Sequence, residues 1–325
     1  MDAFETYDAV VIGGGVAGLS AALVLGRARR RVLVIDAGTP RNAPADAAYG
    51  FPTRDGATPE RLVGLGRAEL EPYGVHFLDG VVDGAEERAD LWTVTTTDGE
   101  AARGRHLILA SGLRDVLPEV PGAREAWGRG LLQCPYCHGW EVRDQALGVI
   151  GSTGTSLAQA LLLRQWSADV TYFPHRLGPV PEEDARRLRA RGVRVVEGPV
   201  REFLLAGDAD HRPRALLGVR VDDGSADGER VPCVAVFCEP GADAGSGLVA
   251  SLGCELRDDG CIVTDHLGRA SRTRVWAVGN AADPAVHLVT AAGDAYRTAV
   301  AVNAVLVQED CAVLPDAEGA VRGGA

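Results

Sequence analysis

Residues 7–18 of this 325-residue chain read Tyr-Asp-Ala-Val-Val-Ile-Gly-Gly-Gly-Val-Ala-Gly. The apolar run over residues 7–12 predicts a buried strand, and a helical stretch over residues 19–29 follows it. Gly13, Gly15 and Gly18 have the spacing Gly-x-Gly-x-x-Gly, which makes a tight turn, lets the backbone approach a pyrophosphate and packs the helix on the strand. Amide groups at the helix N-terminus would bind the phosphates. The stretch therefore predicts the first strand, turn and helix of a dinucleotide-binding fold.

The next strand and loop extend this pattern. Residues 31–36 predict a second strand that ends at Asp36, about 20 residues beyond the glycines, where an acid that binds a ribose is expected. The loop of residues 37–42 comes next. Arg41 and Asn42 in this loop either contact a ligand that crosses it or are solvated loop residues.

Further elements complete a fold that uses both ends of the chain. Strands are expected over residues 75–82, 91–97, 105–110, 260–264 and 274–278, and an apolar-faced helix over residues 291–306. The third of these strands ends in a turn of small residues that starts at Ala110, which either lets the backbone approach a cofactor or merely ends the strand. Gly279 and Asn280 follow the last strand. Residues after Leu314 are small, polar and glycine-rich, so a disordered tail is expected.

A second strand, turn and helix of the same kind begins at residue 147. The pattern predicts a strand over 147–150, a turn Gly-Ser-Thr-Gly-Thr-Ser over 151–156, a helix over 157–165 and a strand over 170–173. Thr153 replaces the glycine that lets the backbone approach the pyrophosphate, and Ser156 replaces the third glycine. Arg176 is the one certain cation for an NADP 2′-phosphate. We therefore predict a Rossmann-like domain that has lost tight nicotinamide binding.

Cys134 and Cys137 lie between the two motifs, in the stretch Cys-Pro-Tyr-Cys-His-Gly. Two cysteines separated by two residues can close into a disulfide and reopen, and this arrangement commonly lowers the thiol pKa enough to populate the reactive thiolate. The pair could also be half of a zinc site, with Cys233 and Cys238 as further ligands, or two packed thiols. Its position between two nucleotide folds favours electron transfer between sulfur and a bound cofactor.

The composition excludes several classes of partner. The formal net charge is −12, whereas nucleic acids and anionic membranes call for basic patches. All 33 basic residues are arginine, which excludes Schiff-base chemistry at a lysine. The first residues lead directly into a predicted strand, so no signal peptide is expected, and no apolar run has the ~20 residues of a membrane span. The seven cysteines are an odd, scattered set, so we expect a cytoplasmic protein whose later five cysteines are structural.

These motifs together resemble the low-molecular-weight thioredoxin reductase family of flavoproteins. The resemblance covers nearly the whole chain, through the glycines of residues 13–18, Leu-Ala-Ser-Gly at 109–112, the cysteine pair before a second nucleotide motif, and Val-Trp-Ala-Val-Gly-Asn at 275–280. It implies an α/β fold with two Rossmann-like nucleotide-binding domains, the second inserted into the first. Residues 1–112 and 241–314 would form the FAD-binding domain, residues 113–240 the inserted NADPH-domain-like region that carries the cysteines, and residues 315–325 a disordered tail.

The same resemblance implies a cofactor, an assembly and a set of site residues. The cofactor is FAD and the assembly a homodimer, and no metal is expected. The residues expected at the FAD are Gly13, Gly14, Gly15, Gly18, Asp36, Arg41, Asn42, Val82, Ala110, Gly279, Asn280, Leu288 and Val289. The expected catalytic residues are Cys134, Cys137 and His138.

The signature Cys-Pro-Tyr-Cys-His-Gly-Trp of residues 134–140 is more specific. It resembles the branch of thioredoxin-reductase-like dithiol oxidases that close disulfides in small natural products of the gliotoxin and holomycin type, which implies a role in antibiotic biosynthesis. Three features depart from ordinary thioredoxin reductases. His138 replaces the acid after the second cysteine, Asn280 replaces the usual Asp and makes a ribityl contact neutral, and the nicotinamide motif is eroded. The first and third departures fit an oxidase that passes electrons to oxygen.

The resemblance also implies a mechanism. A substrate thiolate attacks Cys134, the second substrate thiol displaces Cys134, and Cys137 faces the flavin C4a and passes the electron pair to it. The substrate is a small-molecule dithiol, and O₂ is the acceptor that yields H₂O₂. His138 either takes protons from the substrate thiols or is a turn residue hydrogen-bonded to backbone. Trp140 and Glu141 either line the substrate site or are a packing aromatic and a solvated acid.

Two other functions fit the same motifs. The first is an NADPH-dependent thioredoxin or disulfide reductase, in which the electrons flow in the opposite direction. The second is a non-catalytic flavoprotein that senses redox state and binds a partner. A long acidic or coiled interaction segment would favour the sensor, and the sequence contains none.

Overall fold

The computed structural model describes residues 5–207, 215–243 and 247–312. Its strands are β1 (Thr6–Ile12), β2 (Val32–Asp36), β3 (His76–Asp79), β4 (Val82–Arg88), β5 (Leu91–Thr96), β6 (Ala101–Leu109), β7 (Arg114–Val116), β8 (Leu131–Leu132), β9 (Leu147–Ile150), β10 (Val170–Phe173), β11 (Val193–Val195), β12 (Val200–Leu205), β13 (Leu216–Val221), β14 (Glu229–Val231), β15 (Ala235–Phe237), β16 (Gly241–Asp243) and β17 (Val275–Ala277). Its helices are α1 (Val16–Arg27), α2 (Pro59–Leu70), α3 (Ala123–Ala126), α4 (Pro135–His138), α5 (Ser156–Leu163), α6 (Glu182–Arg191), α7 (Gly247–Leu252) and α8 (Leu288–Ala312). Short 3₁₀ turns occur at Glu71–Tyr73, His175–Leu177 and Gly279–Ala281.

The first of two compact units takes its described residues from the ranges 1–40, 60–113 and 244–325. Strands β3, β2, β1 and β6 are parallel neighbours, and β17 adds a parallel strand along the C-terminal half of β6. The antiparallel pair β4 and β5 extends the sheet from the N-terminal half of β6. Because the carboxyl ends of parallel strands meet at one edge, the residues after β1, β2, β6 and β17 lie along the same edge.

Both faces of this sheet are covered, which explains why its central strands read as apolar runs. Helices α1 and α8 pack on one face, where the small side chains of Ala22, Ala295 and Ala299 are fully buried beside Leu25. Helix α7 and the β4–β5 hairpin contribute to the apolar cluster on the other face. Among the helices that the structure describes, none is both long and apolar enough to cross a membrane.

The second unit takes its described residues from the ranges 41–59 and 114–243. Its main sheet is parallel, with the strand order β11-β10-β9-β15-β8. Helix α5 follows β9 and contacts both β9 and β10, which completes a second strand, turn and helix unit. An antiparallel sheet of β12, β13 and β14 and the antiparallel pair β7 and β16 complete the unit. Two Rossmann-like units, with the second inserted into the first, confirm the predicted fold class.

The division of the chain differs from the expected one at residues 41–59. These residues belong to the second unit, whereas the sequence interpretation placed them in the FAD-binding domain. The Arg41–Asp115 ion pair, at 2.6 Å, and the packing of Gly128 against the backbone of Pro44 hold the segment there. Which cofactor each unit binds stays a prediction, and the expected tail of residues 315–325 lies outside the described residues.

Several predicted elements need correction at their ends or in kind. The helix expected over 19–29 is α1, which ends at Arg27 because the chain turns at Arg29, where φ is +62°. The expected strand over 75–82 is β3 followed by the start of β4. The strand expected over 260–264 is wrong: its residues form isolated bridges, at Ile262 and Thr264, because glycine turns at Gly260 and Gly268 reverse the chain on either side.

Candidate active site

The first glycine turn is closed by backbone contacts that only glycine permits. Gly13 has φ +109°, and a Cβ atom there would clash with the carbonyl oxygen of Ala110, directly after β6. A Cβ atom on Gly18, in the first turn of α1, would clash with the carbonyl oxygen of Gly13. These contacts bring the ends of β1 and β6 and the start of α1 together, as the motif predicts.

Gly15 has the opposite environment. It is the N-cap of α1, and a Cβ atom built on it meets no other atom within 4 Å. Open space therefore lies beside the N-terminus of a 12-residue helix, whose amide groups and dipole favour negative charge. This is the arrangement that a pyrophosphate requires, so the turn fits the expected dinucleotide cofactor.

Asp36 lies at the end of β2, as predicted. The Gly14 amide donates a hydrogen bond to Asp36 Oδ1 at 2.9 Å. A Cβ atom on Gly14 would lie 2.6 Å from this carboxyl group, so glycine is what lets the carboxylate reach the turn. An ionised carboxylate can accept further hydrogen bonds through its second oxygen, which fits the expected contact with a ribose hydroxyl.

The remaining residues expected at the cofactor in the first unit differ in which of their groups are available to a ligand. Gly279 lies at the same sheet edge, against Ala17 of α1, whereas Leu288 and Val289 are the first two residues of α8. The Val82 side chain is 8% exposed and belongs to the core, so only its backbone is available to a ligand. Asn280 Nδ2 donates within its own loop, to the carbonyl oxygens of Asp283, Pro284 and Val286 at 3.0–3.3 Å. The amide donor of Asn280 that was expected to contact the cofactor therefore bonds to carbonyl groups of its own loop.

Arg41 is held by residues of the second unit. Its guanidinium forms an ion pair with Asp115, whose side chain is 7% exposed, and donates a hydrogen bond to Gln133 Oε1 at 3.0 Å. Gln133 directly precedes Cys134, so Arg41 supports the turn that carries the cysteines. Asn42 lies in the same segment and accepts the amide of Ala45 through its carbonyl oxygen. A contact of either residue with FAD stays a prediction.

Cys134 and Cys137 form a disulfide across the start of α4. Cys134 is the N-cap of this short helix and Pro135 its first residue, where the fixed φ of proline suits helix initiation. The Cys137 amide donates to Cys134 Sγ at 3.1 Å, and the two Cα atoms are 5.2 Å apart. Gly139 then packs against Trp166 so closely that a side chain there would not fit. The turn is thus built so that reduction would release a Cys134 sulfur already facing an amide donor.

His138 follows the disulfide and lies beneath the surface. Neither ring nitrogen is exposed to solvent or has a hydrogen-bond partner, and the ring packs edge-on against Tyr49, with 6.1 Å between centroids. Burial lowers the pKa of His138 below its ordinary value of 6.5, while Glu141 and the Ala47 backbone oppose this shift more weakly. The ring is therefore neutral at pH 7 and can accept a proton. The backbone of Ala47 acts on the ring from close by, and the role of His138 as proton acceptor stays a prediction.

The second glycine turn is filled by the protein's own side chains. Ser156 Oγ accepts the amides of Ser152 and Thr153 at 3.1 Å each, and the hydroxyls of Thr153 and Thr155 both donate to the Glu239 carboxylate. The loss of the glycines at 153 and 156 was visible in the sequence, but the role of Glu239 was missed. Its signal was an acid placed two residues after the buried strand of residues 235–237.

The other cysteines of the second unit do not complete a metal site. Cys233 and Cys238 are 3% and 0% exposed, and burial raises the pKa of both thiols to about 12. Among the residues that the structure describes, neither belongs to a group of potential metal ligands with Cys134 and Cys137. The structure thus gives no support to the zinc alternative that used these four cysteines.

The two environments of Gly15 and Gly18 give a testable contrast. Gly18→Ala places a methyl group on the Gly13 carbonyl and should cost ~1–3 kcal/mol of stability, as overpacking does. Gly15→Ala meets no protein atom, so the apoprotein should unfold within a few degrees of the unmodified apoprotein but bind its dinucleotide cofactor at least ~10-fold more weakly, a loss of about 1.4 kcal/mol. Thermal unfolding of the apoproteins and cofactor titration measure both effects. Equal cofactor affinity in Gly15→Ala would contradict the assignment of the pyrophosphate to this turn.

Comparisons with known proteins agree with this geometry. The family model of pyridine nucleotide-disulphide oxidoreductases matches residues 7–295. Thioredoxin reductase sirT of Leptosphaeria maculans is 30% identical over 312 residues, which cover 91% of this chain and 93% of that protein. Thioredoxin reductase tcpT of Claviceps purpurea is 31% identical and covers 86% and 88% of the two chains. The crystal structure of HlmI is 47% identical, with a TM-score of 0.86 over 94% of each chain.

These matches span both nucleotide folds and the cysteine pair. Flavin is the cofactor that the family implies, and the first glycine turn fits its dinucleotide part. The chain therefore belongs to the pyridine nucleotide-disulphide oxidoreductase family and is a flavin-dependent disulfide oxidoreductase of the thioredoxin reductase type.

Proposed function

We propose that the protein is an FAD-dependent dithiol oxidase that closes an intramolecular disulfide in a small natural-product dithiol, with O₂ as the electron acceptor. The observation that carries this proposal is the contrast between the two glycine turns. The first is open where a dinucleotide phosphate would bind, whereas the second is filled by Ser156, Thr153 and Glu239. Electrons then enter through the Cys134–Cys137 disulfide and not through a nicotinamide.

The cysteine pair takes two electrons from the substrate by thiol–disulfide exchange. One substrate thiolate attacks Cys134 Sγ, which breaks the Cys134–Cys137 bond, forms a mixed disulfide and releases the Cys137 thiolate. The second substrate thiol loses its proton and attacks the substrate sulfur of the mixed disulfide, which closes the product disulfide and releases Cys134. The substrate has then lost two electrons and two protons, and the two cysteines hold the electrons. FAD, which the first glycine turn and Asp36 would hold, would supply the acceptor for this electron pair and the route to O₂, and O₂ with the two electrons and two protons gives H₂O₂.

Residues of the disulfide turn assist both exchange steps. The Cys137 amide, 3.1 Å from Cys134 Sγ, stabilises negative charge on that sulfur when it leaves. The neutral His138 ring accepts a proton from a substrate thiol, because burial keeps the ring unprotonated at pH 7. A base whose pKa is lowered by burial is unprotonated at working pH, so it can take a proton from its substrate.

Helix α8 supports a homodimer as the assembly. Val289, Tyr296, Val300 and Val307 are 42–60% exposed. Their spacings of 7, 4 and 7 residues place them within roughly 20° of one line along the helix. We propose that this apolar stripe packs against its own copy, since a helix face that meets itself across a two-fold axis forms a self-complementary interface.

The alternative is an NADPH-dependent disulfide reductase, which the names of the curated relatives favour. Anaerobic rapid mixing and measurements of oxygen uptake distinguish between the two functions. We expect reduced dithiols of the holomycin and gliotoxin type to bleach the flavin and to consume O₂ with equimolar H₂O₂, while NADPH at micromolar concentration leaves the flavin oxidised. Fast flavin reduction by NADPH without dithiol-dependent oxygen uptake would establish the reductase instead.

Serine variants of the two cysteines should lose activity at different steps of the reaction. Cys134→Ser removes the sulfur that the substrate attacks, so we expect no covalent adduct with a disulfide probe. Cys137→Ser leaves Cys134 reactive but without the neighbouring thiol that resolves a mixed disulfide, so mass spectrometry should detect a trapped adduct at Cys134. Cys311→Ser, at an exposed site on α8, is the matched control and should keep full activity. Dithiol oxidation at the normal rate by either active-site variant would contradict the proposed thiol–disulfide exchange through Cys134 and Cys137.

Removal of the imidazole tests the proton acceptor. His138→Ala should slow turnover ~10²–10⁴-fold at pH 7, with most of the loss recovered at high pH, where substrate thiols ionise unaided. Because the pKa of His138 is lowered from 6.5, the unmodified enzyme should lose activity only as the pH falls below that value. His76→Ala, at a half-exposed histidine of β3, is the control. An unchanged rate and pH profile in His138→Ala would return this residue to a structural role.

A further inference from the structure

The topology of the second unit brings Glu239 to the glycine turn. Strands β9 and β15 are parallel neighbours, with Gly148 paired to Val236. The turn of residues 151–156 begins directly after β9, and Glu239 comes two residues after the end of β15. Both segments therefore leave the sheet at the same edge, where ligands bind in folds of this kind.

Glu239 is fixed over this turn by three hydrogen bonds, two to its carboxylate and one to its backbone carbonyl. The hydroxyl of Thr153 donates to Glu239 Oε2 at 2.6 Å, and the hydroxyl of Thr155 donates to the same oxygen. Ser152 Oγ donates to the carbonyl oxygen of Glu239 at 2.8 Å, which fastens the backbone as well. A negative charge is thus held against this turn by the hydroxyls of Thr155 and of Thr153, which stands at a glycine position of the motif.

The amide groups of the turn are also engaged. Ser156 is fully buried, and its Oγ accepts the amides of Ser152 and Thr153. In a nucleotide-binding turn such amides point at the phosphates. An incoming pyrophosphate would therefore meet a negative charge and would find two of its donors already bonded.

The end of β10 offers no strong positive charge that could bind a second phosphate of a dinucleotide. His175 is buried, and its Nδ1 accepts the Val200 amide at 2.9 Å, which requires that nitrogen to be unprotonated. Arg176 is exposed and lies 3.6 Å from the Glu119 carboxylate. Neither residue presents an unopposed positive charge that could offset repulsion between Glu239 and a phosphate.

We propose that Glu239 is an internal occupant of the second nucleotide turn and the residue that excludes nicotinamide dinucleotides from this enzyme. It acts through the charge of its carboxylate and through the space that the carboxylate fills. The inference deepens the proposed function and rests on it, because an oxidase that draws electrons from a dithiol is protected from reduction by NADPH when this turn is closed.

Isothermal titration of the flavin-loaded enzyme with NADP⁺ and NAD⁺ tests the proposal. Glu239→Ala removes charge and bulk, and we expect it to bind NADP⁺ at least ~10-fold more tightly than the unmodified enzyme, since a like charge close to a phosphate is strongly repelled. Glu239→Gln removes only the charge and keeps an oxygen for the threonine hydroxyls. Glu229→Gln, at an exposed acid of β14, makes the same change in net charge and should leave NADP⁺ binding unaltered.

The outcomes are distinct. Tighter binding in both Glu239 variants supports exclusion by charge, and tighter binding in Glu239→Ala alone supports exclusion by bulk. If both variants keep their flavin and their unfolding temperature but bind NADP⁺ no better than the unmodified enzyme or Glu229→Gln, the proposal is wrong. Dithiol-dependent oxygen uptake by the unmodified enzyme tests the proposed function separately, because that measurement does not involve Glu239 variants.

Discussion

The close approach of three backbone segments at the first glycine turn governs the geometry of the first unit. Gly18 lies on the carbonyl of Gly13, and Gly13 lies on the carbonyl of Ala110, so helix α1 starts in direct contact with the ends of two central strands. This contact aims the helix N-terminus along the sheet edge and leaves the space beside Gly15 open. It also brings Asp36 within reach of the Gly14 amide. A nucleotide site thus follows from one packing constraint, and the side chains add specificity to it.

The second unit has the same strand, turn and helix architecture, but its turn lacks two of the three motif glycines. A turn without a ligand still carries amide groups that need partners when they are buried. Ser156 supplies an acceptor for two of them, and the Glu239 carboxylate accepts the hydroxyls of Thr153 and Thr155 beside them. The second motif is therefore a rebuilt turn, which explains how the fold stays intact although two of its three glycines are absent. The fold alone does not assign a nicotinamide site to this unit.

Sequence reasoning captured what local pattern determines. The glycine spacing, the apolar runs and the cysteine pair predicted both Rossmann-like units, the tight first glycine turn and the disulfide, because each depends on residues close together in the chain. It failed where distant residues decide. The segment of residues 41–59 joins the second unit through Arg41 and Asp115, 74 positions apart. Glu239 reaches a turn 86 positions earlier in the chain, which only the order of the strands can show. The strand expected over 260–264 had the right residues but no neighbour to pair with over its length.

The arrangement of charges and protons in the second unit favours one direction of electron flow. Reduction of a disulfide consumes protons, and an enzyme that works in this direction needs an acid beside its cysteines and an open site for the hydride donor. Oxidation of a dithiol releases protons and needs a base. Here the residue after the second cysteine is an imidazole that burial keeps neutral, and the turn that would receive the hydride donor holds a carboxylate. These two features lie on different elements of the unit, and both agree with the proposed oxidase. The imidazole can take a proton from a dithiol, and the filled turn leaves no open phosphate site for NADPH.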